Sequence, residues 1–522
     1  MTTKKELIEA VLKQRENGML KESAALCAAA IESFPDDADI LHLCGVIESE
    51  NKEYQNAITS IKKALIINPN MPSAYNNLGV ALSESGQLDE AIEAYSKAVS
   101  LMGEYAPAYD NLGLALKRNG KLSQAIECFK KAIAIDASYS KAWYHLGNSL
   151  YEIGDMDGAE KYLIRTTEIA PRFADAYGNL GSVYNERKEP SKAVECFRAA
   201  IRINPDHINA HWNLSLALLL SGEFEEGWKE YEWRFALKDS EKRTFNKPKW
   251  DGYSPITGKT LLLYAEQGFG DSIQFIRFAP IIKKTCAKVI VECQKELTRM
   301  FGRIEGVDAV ITQGEQAPGF DLHYPLLSLP LALGINPENI PDSPYITPDE
   351  NEVEKWSGLL GDSRQDLKVG LVWAGKQNHF RDRLRSVPAA IFAPLLEIAG
   401  TKFYSLQKRN QEGAGNEAIE SLGIIDLTDK LHDFSDTAAL IANLDLVVTV
   451  DSAVAHLAGA MGKPVRVMIP FVPDWRWLKE GASSKWYPGM RLFRQKVPRD
   501  WASVVMSIKE DLAEMVRSKN IS

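Results

Sequence analysis

The stretch AYNNLGVALSESGQLDEAIEAYSKAVSLMGEYAPAYDNLG, residues 74–113, begins and ends on nearly the same six residues. Gly79 and Gly113 stand 34 residues apart, and the same step runs through Gly45, Gly147 and Gly181 to Ser215. Ala57, Ala91, Ala125, Ala159 and Ala193, followed by Gly227, keep that step, as do Pro35, Pro69, Pro171 and Pro205. Small residues at two fixed points let two antiparallel helices approach closely. Tyr95, Phe129, Phe197 and Tyr231 fill the remaining gap, and proline ends the second helix. Each period therefore predicts a helical hairpin. Counting outward gives about seven units, from a degenerate first unit near residues 3–36 to GEFEEGWKEYEWRF, where Trp228, Trp233 and Phe235 are expected in an interface core.

A 34-residue hairpin with AYNNLG on its first helix and a DEAIEAY-like second helix resembles the tetratricopeptide repeat, which stacks into a superhelix. Two residues before each marker stand Asn77, Asn111, His145, Asn179 and Asn213. An amide both donates and accepts, so Asn77, Asn111, Asn179 and Asn213 are candidate acceptor-binding residues that could hold an extended protein or peptide backbone in the repeat groove. Such a ladder resembles that of O-linked N-acetylglucosamine transferase. The alternative is that these are solvated or locally bonded helix asparagines.

After DSEKRTFNKPKWDGYSP the pattern changes to short apolar runs separated by helices. TLLLYA (260–265), AKVIVEC (287–293) and DAVIT (308–312) predict buried parallel strands, and KVGLVWAG, TKFYSL and DLVVTV restart the pattern after residue 367. The expected domains are a repeat array over 1–240, a first Rossmann-like lobe over 241–352 and a second over 353–522. The last helix is expected to cross back to the first lobe.

Three loops carry the chemistry. Glu266-Gln267-Gly268-Phe269-Gly270-Asp271 leaves the first strand, where glycines let backbone approach a ligand and Asp271 could take a hydroxyl proton. A helix N-cap is the plainer role for Asp271. Lys376-Gln377-Asn378-His379-Phe380-Arg381-Asp382-Arg383-Leu384-Arg385 follows KVGLVWAG as a cationic loop in an acidic chain; it suits a diphosphate, with surface solvation as the alternative. In LDLVVTVDSAVAHLAGAMGKPV a strand ends at Asp451-Ser452 and a helix follows through His456. Its free amides could hold phosphate oxygens, or Asp451 and Ser452 could simply cap it.

GD after the first strand, the basic loop and D-S-A-V-A-H-L-A-G-A-x-G-K-P together resemble the heptosyltransferase family of GT-B glycosyltransferases, over roughly residues 258–515. The repeat architecture further resembles bacterial repeat-linked glycosyltransferases. The resemblance implies an α-solenoid followed by an α/β GT-B fold of two Rossmann-like lobes. It implies sugar transfer from a nucleotide-sugar to an acceptor hydroxyl, with Asp271 as general base and Arg385 or Lys376 neutralising the leaving phosphate. Gln267, Gly268, Gly270, Arg381, Asp451, Ser452 and His456 would line the nucleotide-sugar site. No cofactor is expected beyond that co-substrate, and no metal, because no DxD-type pair is placed to hold one. Two other readings stay open: a catalytically weak or inactive nucleotide-binding scaffold whose repeats recruit protein partners, and a small-molecule or lipid-sugar glycosyltransferase. Trp475, Trp477, Trp486 and Tyr487 could stack on a base or sugar, or pack beneath the lobe.

Bulk properties narrow the partners. Lys and Arg number 61 against 70 Asp and Glu, a net charge of −9, which argues against broad nucleic-acid or anionic-membrane binding. MTTKKELIEA lacks a secretory apolar run, and no long uncharged apolar stretch exists to span a bilayer, so a cytoplasmic location is expected. The 6 cysteines form no CxxC pair and are expected as buried thiols, Cys128 and Cys196 in the same repeat slot.

Overall fold

The structure is a computed structural model that describes residues 3–238, 243–361, 366–375, 382–408, 419 and 422–519. The chain divides into two compact units, Met1–Arg187 with Arg198–Pro205, and Lys188–Phe197 with Asp206–Ser522.

The 34-residue step folds as expected. Helical pairs Lys4–Glu16/Leu20–Ser33, Ala38–Glu50/Tyr54–Ile67, Pro72–Glu84/Leu88–Leu101, Ala106–Arg118/Leu122–Ile135, Ser140–Ile153/Met156–Ile169 and Ala174–Glu186/Pro190–Ile203 follow one another, and Ile208–Ser221/Phe224–Tyr231 completes the series. The marker glycines are required by packing. A Cβ on Gly79 would lie 2.6 Å from the Tyr95 ring, on Gly113 2.5 Å from Phe129, and on Gly147 2.8 Å from Leu163. Tyr95 and Phe129 are correspondingly buried. Pro35, Pro69 and Pro171 each stand two residues beyond a second helix, where a missing N–H costs nothing.

Neighbouring repeats of the first unit are braced at an offset of 35 residues. Asn111 Nδ2 donates to Asn76 Oδ1 at 3.0 Å, Asn179 Nδ2 to the Tyr144 hydroxyl at 3.2 Å, and Asn77 Nδ2 lies 2.9 Å from His42 Nε2. His145, which interrupts the asparagine column, makes the same link to Asp110 at 2.8 Å. One N–H of each of these half-buried amides thus serves the stack itself, and the Asn77 Oδ1 also accepts from Asn76 Nδ2 at 3.4 Å.

The second unit contains two wholly parallel sheets. The first has strands β1 Thr260–Tyr264, β2 Lys288–Cys293, β3 Ala309–Thr312 and β4 Leu322–Pro325 in the order β3-β2-β1-β4. The second has β5 Leu367–Val372, β6 Thr401–Ser405, β7 Ile425–Asp426, β8 Leu446–Val450, β9 Val465–Ile469 and β10 Met490–Arg494, in the order β10-β9-β8-β5-β6-β7. Strands covered on both faces read as continuous apolar runs, as TLLLY and LVVTV do.

One hydrophobic core runs from Phe224, Trp228 and Tyr231 of the last helical pair through β1 and β2 to β9 and the Ala453–Ala460 helix. The expected boundary at residue 240 is therefore not where the compact units divide: the last pair belongs to the α/β unit. Trp475, Trp477, Trp486 and Tyr487 are each at most 3% exposed within this core, so they pack rather than stack on a ligand. Buried Arg277 ties the two halves of the unit, donating from both terminal nitrogens to Trp486 O at 3.0 Å.

The terminal helix corrects an expectation. Trp501–Lys519 does not cross back to the first sheet. It buries Val504, Val505, Ile508 and Leu512 in a separate core with Val369, Leu371 and Val448 of the second sheet. Asp511 on this helix accepts from Arg466 Nε at 2.5 Å, neutralising a cation that lies within β9. Among the described residues no helix is long and apolar enough to cross a membrane.

Candidate functional site

In a parallel sheet all strands end on one edge, so the loops leaving that edge gather the side chains they carry. Both sheets here turn that edge toward one cavity of about 1100 Å³. Glu266 to Asp271 follow β1, Gln294 and Glu296 follow β2, and Gln313 follows β3. From the second sheet, Ala374 and Gly375 follow β5, Leu406 to Lys408 follow β6, Asp451 and Ser452 follow β8, and Pro470, Asp474 and Arg476 follow β9.

Eight of the residues singled out in the sequence line this one cavity: Gln267, Gly268, Gly270, Asp271, Arg385, Asp451, Ser452 and His456. Lys376 and Arg381 lie outside the described residues. Asn77, Asn111, Asn179 and Asn213 belong to the helical repeats and do not line it.

Asp271 stands in the first turn of the Phe269–Phe275 helix, and its Oδ2 accepts from Gly268 N–H at 3.0 Å. The N-cap is therefore Gly268 and not Asp271, which closes the cap from the third helical position with one oxygen. The other oxygen pairs with Arg476. Arg476 is a residue that sequence reasoning passed over. Its buried guanidinium donates to Gln274 Oε1 at 2.7 Å from Nε and to Asp474 Oδ1 at 2.9 Å from Nη1, while Nη2 meets Asp271. The only signal for it was a cation inside the aromatic motif PFVPDWRW just beyond a strand.

Gly270 permits a close approach between two helices. A Cβ there would lie 2.9 Å from His456 Cδ2 and 3.5 Å from Ala453 Cα. His456 is buried, its Nδ1 3.0 Å from the Tyr487 hydroxyl and its ring stacked on Trp477 at 5.4 Å. Burial, with Arg476 nearby, pushes its pKa down to about 3, so the imidazole is neutral at physiological pH. Ser452 precedes the Ala453–Ala460 helix without capping it by its side chain, and its hydroxyl is 2.9 Å from that of Thr449.

Asp451 is set apart electrostatically. Burial and the Asp474 carboxylate push its pKa up to about 6, against the pull of Arg385 and Arg476. Arg385 lies 3.5 Å from Asp382 through Nε, and a Cβ on Gly375 would fall 2.6 Å from its Nη2, so glycine is needed for the guanidinium to lie over the strand end. Two cations and a helix N-terminus beside a carboxyl that titrates near neutrality make a site suited to an anionic ligand with hydroxyls to bond.

The tetratricopeptide repeat family matches residues 70–138, 116–181 and 174–207, and glycosyltransferase family 9 (heptosyltransferase) matches residues 404–466, the stretch from β6 into β9 that carries Asp451, Ser452 and His456. The chain carries tetratricopeptide repeats and, C-terminal to them, a glycosyltransferase family 9 domain. Protein FlbA of Caulobacter vibrioides is 30% identical over 309 residues, covering 53% of this chain and 50% of that protein. The chain thus spans about half the length of the curated relative it matches. Among solved structures, YrrB, described as a TPR protein with an unusual peptide-binding site, is 27% identical over 35% of this chain and 95% of its own, with a TM-score of 0.30. MamA is 30% identical over 31% of this chain and 94% of its own, with a TM-score of 0.29. Likeness at that score decides nothing further about the fold.

Proposed function

We propose that the chain is a GT-B glycosyltransferase that moves a sugar from a nucleotide-diphosphate sugar to an acceptor hydroxyl on a protein recruited by the repeats. The observation that carries this reading is the meeting of Asp271, Arg385, Asp451, Ser452 and His456 around one cavity at the strand ends of both sheets.

In this reading an Asp271 oxygen takes the proton of the acceptor hydroxyl as the hydroxyl's own oxygen bonds to the anomeric carbon. The bond from that carbon to the phosphate oxygen breaks, and its electron pair leaves with the nucleoside diphosphate. Arg385 and the N-terminal end of the Ala453–Ala460 helix receive the developing charge, with Lys376 and Arg381 of the same basic loop assigned to this role from the sequence. Protein cations and a helix dipole then do what a metal ion does in other transferases. Neutral His456 lines the donor side and supports Gly270 and the turn before Asp271.

The test is nucleotide release from UDP-, GDP- and ADP-sugars, with and without acceptor lysate, for the full chain and for Asp271→Asn. Loss of a general base lowers the rate by about 10²- to 10⁴-fold. Equal release by both proteins with every donor would overturn the proposal.

A further inference from the structure

The cavity has a wall that the transfer reading leaves without a role. Asn209 and Trp212 of the last helical pair line it, together with Arg234 and Phe235 of the 3-10 turn Glu232–Ala236 that follows. This wall is fixed to the first sheet. Trp228 Nε1 donates to Ile335 O at 2.9 Å, and Arg234 Nη2 donates to Ser328 Oγ at 2.7 Å and to Glu266 Oε1 at 2.8 Å. Nη1 of the same arginine donates to Glu232 Oε1 at 2.6 Å. The Phe235 ring lies 4.1 Å from the Arg234 guanidinium, so Phe235, Arg234 and Glu266 form one continuous stack of contacts.

Glu266 is the unexplained member. It stands two residues after β1 and five before Asp271, its side chain 7% exposed, and it lines the cavity. One carboxyl oxygen is held by Arg234, while Oε2 is buried with no hydrogen-bond partner among the described residues. A buried acceptor without a donor is costly, and one carried by a residue that lines a cavity can be matched by a ligand that brings a donor. The charge of Arg234 is taken up by Glu232 and Glu266, and Asp271 and Glu296 also line the cavity, so this side disfavours a diphosphate. A neutral alcohol suits it: the hydroxyl donates, and aromatic rings cover the carbon skeleton.

We propose that Glu266, positioned by Arg234 in a cavity that Phe235 and Trp212 also line, forms an acceptor subsite that binds the hydroxyl of a neutral alcohol through Oε2. The word acceptor rests on the transfer reading; the binding does not. Glu266→Gln tests it closely, because the amide oxygen still accepts from Arg234 while an NH₂ group replaces the oxygen that would accept a hydrogen bond from the hydroxyl.

The full chain is titrated by saturation-transfer NMR with N-acetyl-threonine methylamide, with methyl β-glucopyranoside, and with N-acetyl-alanine methylamide as the hydroxyl-free control. The wild type is expected to prefer at least one hydroxyl probe over the control, and which one binds distinguishes a side-chain from a sugar hydroxyl. Glu266→Gln should bind that probe about 10- to 100-fold more weakly, and Phe235→Leu, which keeps the carboxyl, should weaken it less. Equal binding of threonine and alanine probes with no glucoside binding, or equal binding by wild type and Glu266→Gln, overturns the subsite. Glu266-dependent binding without turnover of any sugar donor would leave the subsite standing and sink the transfer reading instead.

Discussion

Replacing Arg476 by leucine removes a buried cation that holds three side chains from both halves of the α/β unit. Gln274 Oε1 loses its donor at 2.7 Å, Asp474 loses one at 2.9 Å, and Asp271 loses its ion partner. Removing one member of a buried ion pair costs about 3–5 kcal/mol. The Asp271 and Asp474 side chains are 21% and 34% exposed, so water recovers part of that, and the lower end, about 3 kcal/mol, is expected. Arg476→Lys restores the charge but not three divergent donors, and should cost about 1–2 kcal/mol. Of the 11 tryptophans, all but Trp143 follow Pro205, so tryptophan fluorescence during urea unfolding reports this unit. Asp271→Asn in the Arg476→Leu background should recover part of the loss, because one uncompensated carboxylate is gone. A cost for Arg476→Leu within about 0.5 kcal/mol of zero, the range of ordinary surface changes, or an identical cost in the Asp271→Asn background, refutes this account of the arginine.

A nucleotide sugar, whose diphosphate does not titrate near neutrality, should bind more tightly as pH falls from 7 toward 5, because Asp451 takes a proton near about 6 and its negative charge leaves the site; calorimetry should find this slope absent in Asp451→Asn. The same raised pKa means that the folded state holds a proton that the unfolded chain releases at about 4, so the Asp451 contribution to stability is full below that pH and is lost as pH rises through about 6. His456 acts in the opposite sense: the unfolded chain takes a proton near about 6.5, the folded one only near about 3, so stability falls as pH drops through that window. Gly113→Ala places a methyl group 2.5 Å from Phe129, and overpacking of about 1–3 kcal/mol should outweigh a helix-propensity gain of up to about 1 kcal/mol; urea unfolding followed by circular dichroism should show a net loss that Phe129→Leu partly relieves. Deleting residues 1–187 should leave the tryptophan transition and donor hydrolysis in place while abolishing transfer to protein; undiminished protein transfer would remove the repeats from acceptor recruitment.

The repeat half was legible because packing there is local and periodic: a glycine at every thirty-fourth position names its own neighbour sixteen residues on, as Gly79 does Tyr95 and Gly113 does Phe129. The offset of 35 that pairs His42 with Asn77, Asn76 with Asn111, Asp110 with His145 and Tyr144 with Asn179 was equally present in the sequence, but reading the asparagine column alone hid it. In the α/β half the long apolar runs announced β1, β2, β5 and β8. β4 was hidden because LHYP is short, carries a histidine and ends in proline, and β9 because Arg466 interrupts its apolar pattern, with the balancing Asp511 45 residues away. The strand-end loops named eight of the residues that line the cavity, since a parallel sheet delivers them to one edge. Arg476 and Arg234 escaped because their roles lie in partners 205 and 32 residues distant in sequence, Asp271 and Glu266, and nothing local distinguishes a cation that crosses a cavity from one that meets water.

A structure of the full chain bound to an intact nucleotide sugar tests the central claim most directly. The account predicts the sugar nucleotide in the cavity at the strand ends, its diphosphate against Arg385 and the first amides of the Ala453–Ala460 helix, and its anomeric carbon facing Asp271. A diphosphate seated instead against Glu266 and Glu296, or a nucleotide bound outside this cavity, would contradict it.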